Sequence, residues 1–164
     1  MNEKGVAPLD VSTTLVGHWE QVCLKLEALA EEFPAEKFGD RPADGVRNLA
    51  ELLRHIAFWN HYVADKARGK QPNDSDNELP KEKFSTKSEI LPALKRSAST
   101  STAALKANPC LSIDLSDMVI SFIEHNCEHY GQLVVYARLQ GIVPPASRRW
   151  PSFKQRERLT GGRK

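Results

Sequence analysis

An all-α fold, a four-helix bundle with a long crossover connection between helices two and three, is the class this sequence predicts. Three observations predict it. Apolar residues recur at steps of three and four along four separate segments. Helix-breaking stretches rich in Pro, Gly, Asn and Asp separate those segments. The break between the second and third is longer than adjacent antiparallel helices need, which suits a crossover between distant corners of a bundle.

The first helix is expected from about Val11 to Phe33, on the stripe Val11, Leu15, Trp19, Val22, Leu26, Leu29 and Phe33, with Pro34 closing it. The second opens on the capping-box pattern Asn48-Leu-Ala-Glu51 and runs toward Gly69 along Leu49, Leu53, Ile56 and Val63, widened by Leu52 and Trp59. The polar stretch from Lys70 to Pro80 is the crossover. The third spans roughly Ser88 to Lys106 on Leu91, Leu94, Ala98, Ser101 and Leu105, a stripe thin in large residues. Pro92 must fall in its first turn or bend it. Asn108-Pro109 breaks the chain, and the fourth helix is expected from about Ser116 to Gly141, with Gly141 at the position after the cap and Pro144-Pro145 behind it.

Composition bounds the rest. A chain of 164 residues, 40% apolar and 27% charged, fits one ordinary soluble domain with a real core. The bundle is expected over residues 1–146 and a basic tail over 147–164, where Arg148, Arg149, Lys154, Arg156, Arg158, Arg163 and Lys164 face only Glu157. Such a tail is read as a solvated terminus in preference to a nucleic-acid contact, so no nucleic-acid partner is expected. Cys23, Cys110 and Cys127 show no CxxC spacing and cannot all pair, which argues for a reducing compartment. With no apolar leader at the N-terminus and no run of about 18 apolar residues, neither secretion nor a membrane span is expected, and the cytoplasm is the default.

The chemistry concentrates in the fourth helix. His125 and His129 stand four residues apart, about 40° around a helix, so both imidazoles can reach one cation. Met118, Phe122, Leu133 and Tyr136 share that face, which turns the pair inward. A third ligand is needed, and helix two offers His55 or His61, about 120° apart and unable to serve together. Periodicity leaves both open, with a slight preference for His55 beside Leu52 and Trp59; His18 neighbours Trp19 in helix one. Three neutral imidazoles around a divalent cation leave coordination positions open, as in a catalytic site. A water there is acidified toward neutrality.

Gln132 and Tyr136 fall within about 20° of His125, where they can meet a ligand or line the core. Glu128, about 60° around, is placed to move protons or to sit exposed on the rim. Cys127 points away and is expected to pack. His125-Asn-Cys-Glu-His129 also matches an inverted metalloprotease string, but the only acidic residue after it is Glu157, so that reading is set aside.

The segment Asn48-Leu-Ala-Glu-Leu-Leu-Arg-His-Ile-Ala-Phe-Trp59, taken with Ile123-Glu-His-Asn-Cys-Glu-His-Tyr-Gly-Gln-Leu133 and its continuation to Pro145, resembles the DinB-like family of bacterial four-helix-bundle metalloproteins. That resemblance implies His55, His125 and His129 as metal ligands and makes His61 a bystander. It implies zinc or nickel as the metal and a homodimer as the assembly. The sequence departs from a common variant of the family motif by carrying Glu128 in place of a histidine and Tyr130 in place of an arginine.

Related proteins include transferases and isomerases dependent on a low-molecular-weight thiol. The resemblance therefore implies a metal-dependent enzyme in which the cation activates a thiol or water for transfer to, or hydrolysis of, a small molecule. Glu128 and Tyr136 are its candidate catalytic residues, and Trp59 and Gln132 its candidate pocket. The alternative is a non-catalytic bundle that binds metal or a small ligand in a stress response.

Overall fold

The computed structural model describes residues 11–108 and 110–148. They form four helices, α1 (Val11–Glu32), α2 (Leu49–Ala67), α3 (Lys87–Lys106) and α4 (Ile113–Leu139), with short 3-10 turns at Ala35–Lys37 and Pro145–Ser147 and no strand. The basic tail beyond Arg148 lies outside the described residues.

Local chemistry sets the helix ends. The Asn48 side chain accepts the Glu51 N–H at 2.8 Å while the Glu51 carboxylate accepts the Asn48 N–H at 2.8 Å, completing the capping box expected for α2. A second such box, Thr86 with Glu89, starts α3. α4 begins three residues before the expected Ser116, because the Ser112 hydroxyl accepts the Leu115 N–H at 3.2 Å and caps it there. Both α2 and α4 close on a glycine in the left-handed region, Gly69 and Gly141, each at φ +74°. The following N–H groups turn back to cap the last turn, Lys70 to the Asp65 carbonyl at 2.9 Å and Ile142 to that of Ala137 at 2.8 Å.

Other expectations need correction. Pro92 lies in the second turn of α3, not the first, and the helix continues through it on a side where Pro92 and Ser88 are both exposed. Val11 is 72% exposed and does not join the α1 stripe, whereas Trp19, Val22, Leu26, Leu29 and Phe33 are buried. Cys127, expected to pack, is exposed.

The helices run up, down, down and up. α1 antiparallels α3, with Glu31 beside Lys95 and Glu20 beside Lys106. α2 and α3 are parallel neighbours: Asn60 donates to Ser97 Oγ at 3.2 Å, and Asn108, just past α3, donates to the carbonyl of Ala67 at 3.1 Å. α4 antiparallels α2, as Asn126 donating to Asn60 at 3.3 Å and Tyr136 donating to the Arg47 carbonyl at 2.7 Å show. The long α2–α3 connection is therefore a crossover of a particular kind. It joins opposite ends of two adjacent helices rather than distant corners, and its length is what returning along the bundle requires.

That return path positions the site. Arg54, 2% exposed on α2, donates to the carbonyl of Phe84 at 3.2 Å and pairs with Glu78 at 3.5 Å, while the Leu79 N–H meets the Arg54 carbonyl at 3.4 Å. A buried guanidinium holding two points of a loop ties the crossover to α2. Where the chain crosses the mouth of the bundle, Asn77 adopts φ +57°, a left-handed conformation that Asn tolerates. Two apolar clusters fill the interior, one around Leu29, Phe33, Leu49 and Leu133 and one around Trp19, Val63, Leu105 and Val119.

Because the capping box starts α2 and fixes the residue before it, Asn48→Ala should cost about 1 kcal/mol. For a chain of this size that lowers the melting temperature by roughly 2–4 °C. Thermal unfolding by circular dichroism checks this, and an unchanged midpoint would remove the box from the account.

Candidate metal centre

Three of the five histidines meet. His55 Nε2 stands 3.0 Å from His125 Nε2, and His129 Nε2 stands 3.1 Å from the same atom. One ring nitrogen from each lies within 4.8 Å of the others, a group that could hold a metal ion. His55 arrives from α2 and the other two from successive turns of α4, as i, i+4 spacing dictates. His61, half-buried on another edge of α2, and His18, exposed on α1, stand outside the group.

The tautomers follow from the hydrogen bonds. A carbonyl oxygen only accepts, so His55 Nδ1, 2.7 Å from the Asn77 carbonyl, must carry the proton and leave Nε2 bare. His129 is settled from further away. The Tyr136 hydroxyl donates to the Arg47 carbonyl at 2.7 Å, so its oxygen accepts from Gln132 Nε2 at 2.8 Å. That turns Gln132 Oε1 toward His129 Nδ1 at 3.2 Å, and His129 must donate there, again leaving Nε2 bare. Two lone pairs are thus aimed at one point, flanking His125 Nε2. Ligands about 2.0–2.1 Å from a zinc-sized cation stand roughly 3 Å from one another, so the spacing of these atoms fits such an ion.

His125 Nδ1 is buried and has no hydrogen-bond partner among the described residues. Its ring is held by packing instead, against Phe122 with centroids 5.8 Å apart and Trp59 at 6.2 Å. Trp59 in turn donates to Asn77 Oδ1 at 3.0 Å, so one residue of the crossover secures both His55 and the aromatic wall. Glu128 is exposed on α4 and touches none of the three rings through a hydrogen bond. The expected pocket residues Trp59 and Gln132 lie at the site, Gln132 as a direct partner of His129.

All three imidazoles resist protonation. Burial is the main cause, pushing His55 and His125 from 6.5 to about 4 and lowering His129 as well. The Arg47 guanidinium acts in the same direction on each. Neutral imidazoles with free lone pairs are the form that binds a metal.

Asn77 and Arg47 are the site residues that the sequence did not reveal. Asn77 lies in a polar break where nothing marks one carbonyl above another, and Arg47 merely precedes a helix cap.

An all-α bundle with three facing imidazoles defines a helical protein able to hold a divalent cation in its interior. The model of the DinB superfamily matches residues 18–133, a span containing all three histidines. The chain belongs to the DinB superfamily. No curated protein matches it. No helix among the described residues is long and apolar enough to cross a membrane.

The depressed imidazoles predict a pH dependence for the metal-free protein. Below about 6.5 the unfolded chain takes up protons that the folded site refuses, so stability rises with pH between about 4 and 6.5 and is lost as pH falls through that window. Urea unfolding of metal-free protein at pH 7, 6, 5 and 4 should show this loss. The decline should be shallower in His125→Gln, and parallel curves would contradict the assignment.

Proposed function

We propose that the protein is a metal-dependent enzyme in which His55, His125 and His129 hold one zinc or nickel ion and a small molecule is transformed beside it. The observation that carries this reading is the pair of Nε2 atoms, on His55 and His129, kept bare by hydrogen bonds made on the far side of each ring. Without a cation, the single His125 Nε2 cannot donate to both flanking lone pairs at 3.0 and 3.1 Å. Three ligands leave room for an exogenous one. Bound there, the metal would supply acidity, lowering the pKa of a thiol or water toward neutrality.

The chain's own residues do the rest. Asn77 and the Gln132–Tyr136–Arg47 chain orient two of the ligands and raise their basicity. The Tyr136 proton is committed to the Arg47 carbonyl, so Tyr136 acts as a positioning residue. Glu128, exposed one residue before His129, is the carboxylate offered for passing protons between site and solvent. Trp59 and Phe122, with ring centroids 5.3 Å apart, form an apolar wall for the reacting molecule. A low-molecular-weight thiol as co-substrate is supported by the family resemblance, while thiol transfer and hydrolysis share this geometry.

Elemental analysis of untagged protein should find about one zinc or nickel per chain, and His55→Ala or His129→Ala should lose it together with any thiol-transfer or esterase turnover. Gln132→Leu, which frees His129 from its partner, should weaken metal binding by about 10–100-fold in a chelator competition. Full turnover by metal-free protein would sink the proposal, as would a chain that takes up neither metal.

A further inference from the structure

We propose that Arg47 is the anion-binding residue of this site and that the small molecule bound there carries a carboxylate. The inference rests on the metal reading above and adds a substrate class to it.

Charge pairing around the mouth of the bundle singles out Arg47. The Arg41 guanidinium reaches both carboxylate oxygens of Glu51 at 2.8 Å, and Arg54 pairs with Glu78 at 3.5 Å. The half-buried Arg47 side chain has no ion pair or hydrogen bond among the described residues. Taking a guanidinium partly out of water without a partner is unfavourable unless something else completes it.

Its position is fixed from the backbone. Its carbonyl accepts from Tyr136 at 2.7 Å, the preceding carbonyl of Val46 accepts from Arg41, and the following residue caps α2. Arg47 lines a cavity of about 530 Å³ together with Asn77, whose carbonyl holds His55. The three imidazoles do not line this cavity; Asn77 is the residue that joins it to them, and the Arg47 charge acts on all three rings. A ligand seated beside the histidines can extend into this cavity and offer oxygen atoms to the planar donors of Arg47.

The same cavity favours a monoanion. Glu51 and Glu78 are neutralised by their arginines, but Asp76, exposed on the lining, has no ion pair among the described residues. The Asp76 charge opposes any added anion and opposes a phosphate dianion about twice as strongly as a carboxylate, so of the two the carboxylate is the better match for the single guanidinium of Arg47.

Cobalt(II)-loaded protein is titrated with mercaptoacetate and with mercaptoethanol, following the thiolate-to-cobalt absorption band. The wild type should prefer mercaptoacetate, and in Arg47→Gln the affinity ratio should fall by about tenfold, while cobalt content and melting temperature show the variant is intact. A ratio unchanged by the substitution would mean that the carboxylate acts on the metal alone and would overturn the proposal, leaving thiol activation standing. Inorganic phosphate displacing mercaptoacetate more strongly than acetate does would overturn the carboxylate assignment. Failure to bind cobalt at all would be a different result, removing the metal reading and this proposal with it.

Discussion

Two backbone carbonyls, those of Asn77 and Arg47, decide the state of the site. Each can only accept a hydrogen bond, and each therefore forces a proton onto the outer face of a histidine, directly at His55 and through Tyr136 and Gln132 at His129. The consequence is two bare nitrogens facing a third across about 3 Å inside a helical bundle. Burial works in the same direction by keeping the rings neutral. Much of the remaining architecture serves to bring those carbonyls to the mouth of the bundle.

The two carbonyls arrive from connections, not from helices. Asn77 belongs to the crossover, which is anchored through the buried Arg54 and its contacts with Glu78 and Phe84. Arg47 belongs to the α1–α2 connection, anchored by the Arg41–Glu51 pair and the capping box of α2. Loops carrying function on a rigid scaffold are common, and here the scaffold contributes the ligands while the loops orient them. The up-down-down-up path makes this possible, since two parallel neighbours require a connection that returns across the site.

How much could be read from the sequence divides along the same line. Helical periodicity gave four helices and the spacing of His125 and His129 gave a shared face, because those signals are local and repeat every turn. Choosing His55 over His61 was beyond periodicity, since both ride the edges of the α2 stripe; the family resemblance made that choice and the geometry agrees with it. Periodicity does not locate the start of α4, because a single Ser112 hydroxyl decides it, and it does not show that Cys127 is exposed. Asn77 and Arg47 were illegible for a physical reason. What they contribute is a carbonyl, which every residue has, and only the tertiary path says where it goes.

The most direct test of the central claim is X-ray absorption at the metal edge of the purified, metal-loaded protein. The account requires about three imidazole shells with nitrogen near 2.0–2.1 Å, one or more further light-atom ligands and no sulfur from the chain. A sulfur shell near 2.3 Å that survives Cys127→Ser and thorough removal of added thiols, or imidazole scattering unchanged in His55→Ala, would contradict it.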